Sequence, residues 1–105
     1  MNSKLKSKET NELFKALGLL ENEKEYYDFF EDLCTVTELK SLSQRFHVAK
    51  LLSEGKTYVE VGELTGASTA TISRISKCLM YGADGYNLIL KRLQAAEKAE
   101  KDALK

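Results

Sequence analysis

Apolar side chains recur along this chain at helical spacing nearly everywhere. Residues 8–20 place Leu13, Phe14, Leu17 and Leu20 on one face, interrupted by Gly18. Asn22 followed by Glu25 reads as a helix start, after which Tyr26, Phe29, Phe30 and Leu33 repeat at i, i+3, i+4, i+7. Thr37 is positioned to cap a longer helix with the stripe Leu39, Leu42, Phe46, Ala49 and Leu52, and Gly55 ends it. Near the C-terminus Asp84 follows a loop with two glycines and can cap a last helix whose buried face is Tyr86, Ile89, Leu90 and Leu93. Beyond Ala95 the sequence AAEKAEKDALK favours helix but has little to bury, so fraying is expected. Period-two alternation is scarce. The pattern predicts an all-α fold of five to six helices.

Residues 57–79, TYVEVGELTGASTATISRISKCL, predict two short helices joined by a tight turn. Thr57 with Glu60 forms a capping box, Gly66 tolerates the positive φ of a turn, and Ser68 caps the second helix. In a helix-turn-helix counted from Tyr58, the interlocking positions fall at Val61, Gly62, Ala67, Ile72 and Ile75, all apolar or small. The outward positions of the second helix carry Ser68, Thr69, Ala70, Ser73, Arg74 and Lys77, with no carboxylate. A helix so equipped can enter a DNA groove without steric or electrostatic penalty, and Tyr58 at the start of the first helix joins this DNA-facing set. An ordinary helical hairpin in an all-α domain is the competing reading.

Charge complicates the DNA reading. The 105 residues carry 16 basic and 16 acidic side chains, for zero net charge, whereas duplex binders are usually basic. The charges are unevenly spread: residues 1–37 hold 5 basic and 8 acidic groups, residues 38–80 hold 6 and 4, and residues 81–105 hold 5 and 4. A surplus of two around the reading helix is weak, so a second copy is needed for useful affinity. The helix at 22–34 points to the same copy: two tyrosines and two phenylalanines within five positions suit an interface better than a thin monomeric core. A crowded core helix is the alternative.

The length suits a single domain, 1–105, short for an enzyme with a deep cleft. His47 is the only histidine and reads as a partly buried structural residue beside Phe46. No nucleophile has a recognisable partner, no glycine-rich phosphate loop occurs and no metal spacing is present, so neither a catalytic nor a metal site is expected. Cys34 and Cys78 lack CxxC spacing and read as free thiols of a reducing cytoplasm. No apolar run reaches the roughly 20 residues a membrane span needs, and the N-terminus reads as a polar arm.

The run LLSEGKTYVEVGELTGASTATISRISKCL resembles the Trp repressor family, and its YerC/YecD branch of small bacterial proteins in particular. The likeness is carried by Leu51-Leu52 before a glycine, by Leu64-Thr65-Gly66-Ala67 and by Ala70-Thr71-Ile72-Ser73-Arg74. The loop Tyr81-Gly82-Ala83-Asp84-Gly85-Tyr86 and Gln44-Arg45 are closer to the YerC-like branch than to tryptophan-binding repressors. The resemblance implies an intertwined homodimer: an N-terminal arm and dimerisation helices in 1–36, a long helix plus helix-turn-helix in 37–80, and a C-terminal dimerisation helix in 84–100. Recognition helices would then lie about 34 Å apart, facing a palindromic operator in double-stranded DNA.

Thr69, Ala70 and Ser73 match major-groove positions of the family. Arg74 matches the arginine that holds a corepressor carboxylate, Arg45 the one that stacks on its indole, and Thr71 a pocket-lining threonine. Two departures stand out: Ile75 replaces a glycine after the carboxylate-binding arginine, and Cys78 replaces a ligand-orienting serine. Tryptophan, another amino acid as corepressor, or no ligand all remain open, and Arg45 and Arg74 could instead meet phosphates or form internal salt bridges. The resemblance implies a bacterial cytoplasmic transcriptional regulator, a repressor with no cofactor beyond such an effector. The alternatives are a helical protein-interaction module and, within DNA binding, a duplex-reading domain like those of replication initiators.

Overall fold

The computed structural model describes residues 3–104, which form helices and no strands. After a 3-10 turn at Ser3–Leu5 come α1 (Lys8–Leu17), α2 (Glu23–Leu33), α3 (Val36–Ser53), α4 (Tyr58–Thr65), α5 (Thr69–Tyr81) and α6 (Gly85–Ala103). Two compact units divide the chain, one up to Lys40 and one from Ser41 onward.

The first unit is built on local capping. Ser7 caps α1 by accepting the Thr10 N–H at 3.0 Å, and Gly18 closes the helix, leaving Leu20 of the expected stripe beyond its end. Asn22 caps α2 as anticipated, accepting from the Glu25 N–H at 3.0 Å. The start of α3 differs from expectation. Thr35, not Thr37, is the cap: its Oγ1 accepts the Glu38 N–H at 3.1 Å while Glu38 Oε1 accepts the Thr35 N–H at 2.9 Å. This reciprocal pair satisfies two otherwise orphaned donors, and Thr37 has no carboxylate three residues on to do the same.

No described side chain of this unit is buried. Leu13, Leu17, Phe29 and Phe30 are half-buried, the two phenylalanine rings meeting edge to face at 6.0 Å. Phe14 and Tyr27 are each 63% exposed. A segment of about 40 residues seldom stabilises itself even with an interior, and among the described residues this one has no fully buried side chain.

The second unit has a core of Val48, Ala49 and Leu51 from α3, Val61 from α4, Ile72 and Ile75 from α5, and Leu90 from α6. Phe46, Leu52, Ala67, Leu79 and Tyr86 pack around it. The predicted α3 stripe is therefore corrected. Val48 and Leu51 lie inside while Leu42 is exposed, because burial wraps around the last turns of α3 instead of following one narrow face. His47, expected to be partly buried, is exposed.

The last helix corrects the expected cap and part of the expected buried face. Asp84 occupies the cap position in left-handed conformation (φ 66) and makes no side-chain cap bond. Its Oδ1 instead accepts from Asn87 Nδ2 at 3.3 Å, and the same amide donates to the Leu79 carbonyl at 2.9 Å. Of the expected face, Leu90 is buried, Tyr86 and Leu93 are half-buried and Ile89 is exposed. The helix runs to Ala103, and every side chain after Ala95 is exposed, in keeping with a segment that has little to bury. Alanine, glutamate and lysine have high intrinsic helix propensity and suffice without burial, aided by Lys50 Nζ at 3.3 Å from Glu97 Oε1.

The capping boxes carry a pH signature. The Thr57 backbone N–H, then its hydroxyl, holds the Glu60 carboxyl below the usual 4.5, and Thr35 does the same to Glu38. With native values depressed, this contribution to stability is complete above pH 4.5 and is lost as the pH falls through the lowered native values. Replacing both glutamates with glutamine keeps an acceptor oxygen and removes the titration. The double variant should therefore lose less melting temperature than the wild type between pH 5 and pH 3, followed by circular dichroism. Parallel acid limbs for the two proteins would refute the assignment.

Candidate nucleic-acid interface

The turn between α4 and α5 is held by a dense set of hydrogen bonds. α4 opens on the Thr57–Glu60 capping box and closes at Gly66, which adopts φ 73 and donates its N–H to the Gly62 carbonyl at 2.9 Å. Left-handed backbone costs an L-residue roughly 1 kcal/mol, and glycine avoids it. Thr65 Oγ1 donates to the Val61 carbonyl at 2.7 Å and accepts the Ala67 N–H at 3.1 Å. From α3, Gln44 Nε2 donates to the Thr65 carbonyl at 3.1 Å. Ser68 then caps α5 by accepting the Thr71 N–H at 3.2 Å.

Packing fixes the crossing of the two helices. Val61, Ile72 and Ile75 are buried between them, and Ala67 is half-buried. A Cβ added to Gly62 would lie 3.7 Å from Ile72 Cδ1, in ordinary van der Waals contact, so a methyl fits there.

With the apolar positions turned inward, α5 presents Thr69, Ala70, Arg74 and Lys77 to solvent, with Ser68 exposed at its cap and Ser73 half-buried. Tyr58 at the head of α4 is 44% exposed. No Asp or Glu occurs within α5. Arg45, Arg74 and Lys77 make no ion pair or hydrogen bond to protein groups among the described residues, which sets aside internal salt bridges for the two arginines. The face thus offers uncompensated cations beside small hydroxyl and methyl groups.

One side of α5 also borders a shallow, widely open groove of about 570 Å³. Ala70, Ser73, Arg74 and Lys77 line it, continued by Cys78 and Tyr81, with Gly82 at its end. Of the residues singled out for a corepressor, the structure places Arg74 and Cys78 here, while Arg45 and Thr71 do not line the groove. The Thr71 hydroxyl accepts from the Ser68 O–H at 3.0 Å, and Ile75 is 3% exposed, filling core volume that a glycine would leave open. Cys78, like Cys34, is a free thiol.

Tyr81 and Gly82, which the sequence marks only as part of the loop 81–86, also border this surface. Continuing the spacing 70, 74, 77, 78 by one more turn reaches Tyr81. A Cβ at Gly82 would overlap the backbone carbonyl of Cys78, a clash no sequence pattern announces. Among the described residues, no group of three His, Cys, Asp or Glu side chains is placed to hold a metal ion, and no helix is long and apolar enough to cross a membrane.

A capped short helix, a left-handed glycine turn and a second helix with a bare outer face define a helix-turn-helix protein of the all-α class. A family model described as Trp repressor protein matches residues 8–94. The chain belongs to the Trp repressor family. It is 49% identical over 94 residues to YerC, an uncharacterised protein of Bacillus subtilis (strain 168), covering 90% of each chain. A crystal structure of a TrpR-like protein from Eubacterium eligens ATCC 27750 is 54% identical with a TM-score of 0.85, covering 89% of this chain and 96% of that one. A candidate Trp repressor from Staphylococcus aureus is 49% identical with a TM-score of 0.85, covering 90% and 95%.

Proposed function

We propose that this protein is a sequence-specific DNA-binding transcriptional regulator of the bacterial cytoplasm, a repressor that acts as a homodimer on a palindromic operator. The observation that carries the reading is the outer face of α5: exposed, free of carboxylates and bearing Arg74 and Lys77 without protein partners. Thr69, Ala70 and Ser73 suit water-mediated contacts and packing on a thymine methyl; Ser68, Tyr58 and the two cations position the backbone. Dimerisation through 1–36 and 84–100 is supported by a first unit in which no described side chain is fully buried and in which aromatic rings stay exposed. Zero net charge favours a helical protein-interaction module instead, so the decisive test is electrostatic.

Duplexes enriched from a random library by the full chain should be palindromic, and their affinity should fall steeply with salt. Four cations per dimer, Arg74 and Lys77 twice, give a slope near −3.6 in log–log form, or roughly 100-fold between 50 and 200 mM salt. No enrichment, or binding indifferent to salt, would favour the protein-interaction module.

For an effector, an amino acid held by Arg45, Thr71, Arg74 and Cys78 is the family-like arrangement. Burial of Ile75 and the engaged Thr71 hydroxyl argue against an indole there. We read DNA binding as independent of tryptophan.

A further inference from the structure

We infer that the outer face of α4 docks a cationic protein bound beside this one on the same DNA, RNA polymerase at an adjoining promoter, so that the chain recruits as well as blocks. The inference rests on the assignment of α5 as the reading helix.

α4 packs inward through Val61, with Gly62 and Thr65 half-buried. Its opposite side carries two i, i+4 pairs side by side, Val59 with Glu63 and Glu60 with Leu64. Val59 is 70% exposed and Leu64 60%, so two branched aliphatic groups flank two carboxylates in open solvent. The Glu60 carboxylate is held in place, its Oε1 accepting the Thr57 N–H at 3.0 Å. Lys56, just ahead of the cap, attracts Glu60 weakly, while Glu63 makes no ion pair or hydrogen bond among the described residues.

This face is not built for DNA. In a helix-turn-helix seated through its second helix, the first crosses the phosphate backbone. Residues 57–66 contain no Lys or Arg, and phosphates repel carboxylates. The two helices of one motif therefore carry opposite signs: α5 has two cations and no carboxylate, α4 two carboxylates and no cation. The complement of α4 is a segment with Lys or Arg around an apolar ridge.

Charge and size together say what covers it. Four side chains fall well short of the roughly 1,000 Å² that a free-standing specific interface buries, so the partner has to be held close by something else. A shared duplex does this, since two proteins on adjoining sites meet at high effective concentration. Proteins that bind DNA present basic surface, the sign that Glu60 and Glu63 complement. An operator overlapping the promoter then blocks polymerase, whereas one that abuts it lets α4 stabilise polymerase on the DNA.

The test places the enriched operator upstream of a promoter at graded spacings and titrates Bacillus subtilis RNA polymerase holoenzyme as the probe. With this protein bound to the operator, half-saturation of the promoter should fall about tenfold, an ordinary coupling between two sites. The gain should recur about every 10.5 base pairs of spacing, as the two proteins return to the same side of the duplex. Glu63→Arg replaces attraction by repulsion and Leu64→Ala removes an exposed apolar contact; each should cut the gain to twofold or less. Operator binding by both variants, measured without polymerase, should not weaken. No gain at any spacing, or a gain that neither variant reduces, overturns the docking face. Weakened operator binding in these variants also overturns it, by putting α4 against the DNA. Failure of the DNA reading shows separately, because no duplex would then be enriched in the absence of polymerase.

Discussion

Arg74→Ala should weaken operator binding by roughly 10- to 100-fold, the range set by a hydrogen bond to a charged group at about 1.5–3 kcal/mol. The guanidinium is exposed and has no protein partner to leave stranded, so the loss should appear in binding with little change in folding stability. Fluorescence anisotropy at fixed salt, paired with a thermal melt, separates the two. Arg74→Lys keeps the charge and loses the planar fork, so it should recover part of the affinity. Ser73→Ala should instead alter which duplexes are preferred. If the alanine variant at 74 binds its operator as tightly as the wild type, α5 is not the reading helix.

Ile72→Ala should destabilise the protein by about 2–5 kcal/mol, combining lost transfer energy with the cavity left behind. Ile72 is 2% exposed and belongs to a core of few buried residues. Small domains have only about 5–15 kcal/mol in total, so this one substitution removes a large share. Ile72→Val should cost about 0.5–1.5 kcal/mol. Leu42 is 44% exposed, and its truncation should cost less than that of Ile72. Urea denaturation monitored by circular dichroism gives all three values. A Leu42→Ala variant as unstable as Ile72→Ala would contradict the packing described for the second unit.

The helix-turn-helix was legible in the sequence because its determinants are local. Thr57 with Glu60, Gly66 and Ser68 each act over two to four residues, and Val61, Ile72 and Ile75 follow from helical periodicity once the turn is located. The start of α3 obeys the same local logic: Glu38 lies three residues after Thr35, whereas Lys40 lies three after Thr37. Asp84 was harder. It is a good cap by type, but Asn87, bonded both to it and to the Leu79 carbonyl, accompanies a left-handed entry into α6.

Contacts distant in sequence were the least readable. The bond from Gln44 to the Thr65 carbonyl spans 21 positions, and the burial of Val48 and Leu51 depends on what packs around the end of α3. Residue matching to a family named Arg45, Thr71, Arg74 and Cys78, yet only Arg74 and Cys78 line the groove beside α5. Matching transfers residue types, while the space around them depends on neighbours such as Ile75.

Gly82 closes α5 by donating its N–H to Cys78 O at 2.9 Å, against a carbonyl that any Cβ would strike. Position 82 should therefore tolerate almost no replacement in a saturation library, unlike the exposed helix surface two turns before it. Under the proposed role of α5, drift at Thr69, Ala70 and Ser73 would change base preference, while the length of the rod that presents them stays pinned by a single residue without a side chain.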